Sequence, residues 1–140
     1  MTIRHKKPDS KNSQSILSSA EKEMMFTLSL QTNEMSASTI VRNIYECFRK
    51  LGDALLIAQG IESRDHLEPL KELMKISVKA DRPTGILENL RKIRHNINYY
   101  GYNPSIDEVN DSVNIAKTLF PPILKEIKKK ITSSRFTMFF

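Results

Sequence analysis

From Ile40 to Ala58 the apolar residues Ile40, Ile44, Cys47, Phe48, Leu51, Leu55 and Ala58 recur in steps of three and four. That rhythm places them on one stripe of an α-helix, with Arg42, Arg49, Lys50 and Asp53 elsewhere around it. A stripe of about five turns needs a cover of similar length. No segment alternates apolar and polar residues over a β-rich run, and no hairpin turn joins two such runs. The cover is therefore helical, and the fold class is all-α.

Helix signals elsewhere supply the partners. Ser18 with Glu21 fits a capping box and predicts a first helix over 18–33, with Met25 and Leu28 on its buried face. Ser36 or Ser38 caps the central helix and Gly60 ends it. A shorter helix runs from Ser63 to about Ser77, carrying Leu67, Leu70, Leu73, Met74 and Ile76, with Pro69 acceptable only near its first turn. Asp81–Gly85 reads as a linker. A helix over 85–100 follows, its stripe formed by Ile86, Leu90, Ile93, Ile97 and Tyr100, and Gly101 and Asn103-Pro104 end it. Ser105 with Glu108 caps the last helix, which carries Val109, Val113, Ala116, Phe120, Ile123, Ile127 and Ile131. Pro121 and Pro122 fall inside that pattern and predict a kink or a brief break. The expected architecture is an up-and-down antiparallel four-helix bundle with an additional short helix. Residues 1–14 read as a disordered basic tail, 15–134 as the helical domain, and 135–140 as an apolar tail. Phe136–Phe140 in that tail suit docking on the body or on a second protomer.

Composition narrows the setting. At 140 residues, 39% hydrophobic and 27% charged, the chain has the balance of one globular domain. No apolar run approaches the roughly 20 residues of a membrane span. Arg4, Lys6 and Lys7 are followed by no apolar stretch, so a secretory signal is not expected. Cys47 alone cannot form an internal disulfide, and with three scattered histidines it offers no zinc site. A reducing, cytoplasmic setting without metal or cofactor is expected. The net charge of +6 sits at the chain ends. Arg4, Lys6, Lys7 and Lys11 outweigh Asp9 at one end, and Lys125, Lys128, Lys129, Lys130 and Arg135 outweigh Glu126 at the other. Such ends either solubilise the chain or help hold a polyanion.

The segment Leu90–Tyr102 concentrates polar chemistry. Arg91 and His95, Arg94 and Asn98, and His95 and Tyr99 are each four apart, so they neighbour one another on a helix surface. Arg91, Arg94, Asn98, Tyr99 and Tyr102 are the candidate binding residues, and Arg94, His95 and Tyr99 the candidate catalytic ones. Guanidiniums bind phosphate through forked donors, and an imidazole exchanges protons near neutral pH. A structural reading stands beside this one. Arg91 can pair with Glu88 or Glu68, His95 can be a surface histidine, and the tyrosines can be packing residues with one polar end. His66, in the turn after the central helix, can cap the next helix or face the same cleft.

The segment resembles the signature helix of the HEPN family. One branch of that family carries an Arg followed four and five residues later by Asp-Tyr, and here Arg94 is followed by Asn98 and Tyr99. Thr39–Gly60 followed by Ser63-Arg64-Asp65-His66-Leu67 is similar to the family's central helix and turn, and Asp107–Lys130 to its last helix. The likeness runs over Ser38–Ile131. It implies a homodimer with the Arg-bearing helices facing across a cleft, and a role in binding RNA, a nucleotide or a partner protein. It also implies a place in a toxin–antitoxin system beside a small nucleotidyltransferase. Active members cut RNA without metal, using an Arg and a His with four to six residues between them. Here Tyr99 stands where the first such His would be, and His95 follows Arg91 after only three residues. A binding module is the leading expectation. A metal-independent endoribonuclease toxin and a structural partner without an RNA role are the alternatives.

Overall fold

The computed structural model describes residues 9–61 and 68–137, with side chains at 9, 11–61 and 68–132. Every regular element among them is helical. These are α1 (Ser10–Ser29), α2 (Ala37–Ala58), the short α3 (Pro69–Met74), α4 (Leu87–Tyr100) and α5 (Ile106–Thr137), with a 3₁₀ turn at Thr84–Ile86 leading into α4. No helix among the described residues is long and apolar enough to cross a membrane.

Helix α2 is the common partner. α1, α3, α4 and α5 all pack against it, α1 also meets α5, and α3 meets α4. All seven residues of the predicted stripe are buried, and so are Val41, Tyr45, Ala54 and Leu56 on either side of it. Phe48 meets Phe120 of α5 edge-to-face, with centroids 5.5 Å apart.

The first helix begins at Ser10, not Ser18. Asp9 is the cap, accepting the Asn12 N–H at 2.9 Å, and Ser18 is an exposed residue inside the helix. The buried line is Ser13, Leu17, Ala20, Met24 and Thr27, so two of its five positions are hydroxyl residues. Each satisfies itself: Ser13 Oγ donates to the Ala54 carbonyl of α2 at 2.6 Å, and Thr27 Oγ1 to the Glu23 carbonyl at 2.8 Å. Polar residues at core positions hid the true register, and Met25, expected inside, is 71% exposed.

Ser63 and Leu67, which were to open the third helix, lie outside the described residues; α3 is seen from Pro69, which occupies its first turn. Gly52 is what lets Pro69 approach α2. A Cβ at Gly52 would sit 2.3 Å from the Pro69 carbonyl oxygen and 2.7 Å from its Cβ. The 81–85 linker closes with Thr84 Oγ1 donating to the Met74 carbonyl at 3.0 Å, and Arg82 crosses to Asp111 and Asn114 of α5 at 2.7 and 3.1 Å. Gly101, at φ +64°, ends α4. Its N–H and that of Tyr102 both turn back to the Asn96 carbonyl. The capping box of α5 is reciprocal: Ser105 N–H donates to Glu108 Oε1 at 2.9 Å, and Glu108 N–H to Ser105 Oγ at 3.1 Å. Of the kink or brief break expected at Pro121 and Pro122, the break does not occur: the chain stays helical through both. The buried residues around them, Leu119, Phe120, Ile123 and Leu124, supply packing that outweighs two lost backbone bonds.

Two outcomes follow. Gly52→Ala should lower stability by about 2 kcal/mol or more in urea unfolding, because the overlap is with Pro69 backbone and exceeds the gain of about 1 kcal/mol in helix propensity; an unchanged midpoint would mean α3 has room to shift. Cys47 is fully buried, and burial, which disfavours the thiolate, pushes its thiol from an ordinary 9.0 to about 12. A raised pKa favours the protonated folded form below both values, so this contribution is complete below pH 9 and lost as pH rises toward about 12. Stability measured across that range should fall more steeply in the wild type than in Cys47→Ala, and the native thiol should resist an aromatic disulfide reagent that reacts once the chain is unfolded.

Candidate functional site

Helix α4 rests on α2 and α3 through Leu87, Leu90 and Ile97, with Ile86 and Ile93 half-buried. Tyr100, predicted as the last member of that stripe, is instead 76% exposed. The helix ends at that point, with Gly101 as its cap.

The structure divides the predicted cluster among three partners. Arg94 is half-buried, and its guanidinium carbon lies 4.7 Å from the centroid of the Tyr45 ring on α2. Burial pushes the Tyr45 phenol above its ordinary range, with Arg94 opposing that shift and Glu68 and Glu46 adding to it. Arg91 turns to Glu88, one turn earlier: its Nε reaches both carboxylate oxygens at 3.0 and 3.1 Å, and Nη2 reaches Oε1 at 2.5 Å. This bond holds the Glu88 carboxyl below its ordinary value. Of the two acids expected as partners of Arg91, Glu88 makes the bond, while Glu68 acts on it only through its charge.

His95 and the tyrosines form an exposed aromatic group. The His95 ring lies 4.6 Å from Tyr99 at a 39° tilt, and 5.9 Å from Tyr100 nearly edge-on. Tyr99 is 69% exposed, and Asn98 beside it is exposed as well. Tyr102 is drawn away to the start of α5, where its hydroxyl donates to Glu108 and so belongs to the cap. That bond, with those from Ser105, lowers the Glu108 carboxyl.

One helix therefore presents a bidentate ion pair, a guanidinium held over an aromatic ring, and a stacked imidazole and phenol facing solvent. Planar groups with exposed faces can stack on a base, and a held guanidinium can meet a phosphate or a carboxylate. No group of three or more His, Cys, Asp or Glu residues suited to a metal ion occurs among the described residues. His66 lies outside the described residues. Tyr45 was missed as a member of the site. Its signal was a tyrosine next to Ile44 on a buried stripe, whose polar end needs an outlet at the stripe's edge.

If the Tyr45 ring positions Arg94, a double-mutant cycle of Tyr45→Leu and Arg94→Met should show a coupling of about 0.5–2 kcal/mol in urea unfolding; additive losses would mean the contact contributes nothing. Comparison of the chain with protein-family models, with curated proteins and with solved structures gives no match.

Proposed function

We propose that the chain is a HEPN-like binding module that acts as a homodimer and engages single-stranded RNA or a nucleotide through α4. The observation that carries this reading is the exposed aromatic group of His95, Tyr99 and Tyr100 on the same helix as the half-buried Arg94. Exposed aromatic faces beside a guanidinium suit unpaired bases, which need a stacking surface and a nearby cation for the phosphate. The HEPN reading rests on Arg94, Asn98 and Tyr99 at their family spacing. In that reading α1, α2, α4 and α5 are the helices of an up-and-down bundle and α3 is the additional short one. The exposed last turn of α4 faces a second copy across the cleft, and a small nucleotidyltransferase is the partner within a toxin–antitoxin pair.

A second reading, a metal-independent endoribonuclease, draws on one feature. His95 is exposed and stacked on Tyr99, so its ring is accessible for proton transfer to a bound 2′-hydroxyl or leaving oxygen.

One set of measurements separates them. A labelled single-stranded RNA of mixed sequence should raise its anisotropy on titration with wild type. Tyr99→Ala should weaken binding by about 5- to 100-fold, as expected for one lost stacking face. Arg94→Lys should weaken it less than Arg94→Ala, because charge is retained and the planar fork is lost. RNA should stay intact in EDTA; cleavage that disappears in His95→Ala would replace the binding reading with the nuclease one. No binding by the wild type would sink both, and a monomer by light scattering at micromolar concentration would remove the dimer.

A further inference from the structure

Away from α4, the seam between α1 and α5 is open among the described residues. At one end it forms a groove of about 280 Å³ floored by Met24, Met25, Leu28, Ala116, Phe120 and Leu124. Glu21, Pro121 and Leu124 carry it into a second hollow walled by Lys125, Lys128, Lys129 and Thr132. Glu21 and Lys128 carry it on to a third, past Leu17 and Ile131 to Gln14. From Leu28 to Gln14 the seam follows α1 for about 20 Å, the length of a helix of roughly 15 residues.

Its surface is patterned. Met25 is 71% exposed on the α1 side. Lysines 117, 125, 128 and 129 are exposed along the α5 side. Against them stand Glu21, 3.5 Å from Lys128, and Glu126, 3.9 Å from Lys129. No ion pair is found for Lys117 or Lys125 among the described residues. Pro121 and Pro122 have no N–H, so the carbonyls of Lys117 and Thr118 lose their usual intrahelical donors. Lys117 and Pro121 both border the apolar groove.

We propose that this seam is the docking groove for an acidic amphipathic helix of a partner protein. The apolar face of that helix would cover Met25 and Phe120, and its carboxylates would meet Lys117, Lys125, Lys128 and Lys129. Methionine side chains adapt to such a face, and the charge pattern sets which helices are accepted. The inference uses none of the α4 residues, so it stands or falls separately from RNA binding.

The test uses the full chain and a labelled synthetic peptide of roughly 15 residues, with leucines on one helical face and glutamates on the other. Two controls accompany it: the same peptide with lysines for glutamates, and a scrambled sequence. The acidic peptide should bind, shift the backbone amide resonances of Met25, Lys117 and Leu124, and weaken as salt is raised. Met25→Glu and Lys125→Glu, both changes of exposed side chains, should each reduce affinity about tenfold or more, and Tyr99→Ala should leave it unchanged. The proposal is overturned if the acidic peptide binds no better than its controls, or if the shifts fall on α4. It is equally overturned if Met25→Glu converts a dimer to a monomer, or if single-stranded RNA or anionic vesicles move the seam resonances when the peptide does not.

Discussion

Burial of α2 from several sides at once is the constraint on which everything else depends. A helix with a single apolar stripe can be covered by two neighbours, but α2 is covered by four, so residues flanking the stripe must also suit an interior. Gly52 is there because Pro69 needs the space. The Ala54 carbonyl takes a second donor from Ser13, which fastens the first turns of α1. Tyr45 stands at the edge, buried itself and presenting a ring face to Arg94. Shape, a hydrogen bond and a cation–π contact thus all trace to one helix.

The same dependence sorts the charges on α4. Arg91 and Arg94 are only three residues apart, yet they have different partners and exposures. Arg91 is neutralised locally by Glu88, as helical spacing allows, and a surface pair of this kind adds little stability. Arg94 is held by a residue nearly fifty positions earlier in the chain, a contact that exists only because α4 lies on α2. The cation held over an aromatic ring is the one that tertiary structure places, while the aromatic group of His95, Tyr99 and Tyr100 is assembled along one short stretch of a single helix.

Local signals read well wherever the interaction is local. The central stripe from Ile40 to Ala58, the reciprocal Ser105–Glu108 cap, Gly101 as a terminator and the burial of Cys47 all follow from spacings of three or four residues or from a single backbone angle. The start of α1 was hidden because Ser13 and Thr27 occupy core positions and satisfy their hydroxyls by bonds that no hydrophobic pattern reveals. Tyr100 was placed in a stripe that periodicity extends but the neighbouring helix does not cover. Pro121 and Pro122 argued for a kink or a break, and packing on both sides prevents the break.

By itself, then, the sequence determined that the chain is all-helical, where its central and final helices lie, and which helix gathers the Arg, His and Tyr side chains. The reason is that helix periodicity and capping act within about one turn. Tertiary structure alone decided that Tyr45 holds Arg94, that Met25 and Tyr100 face outward, and that an apolar, lysine-edged seam opens between α1 and α5. Those outcomes depend on which surfaces of separate helices meet, and residues far apart in the chain settle that together.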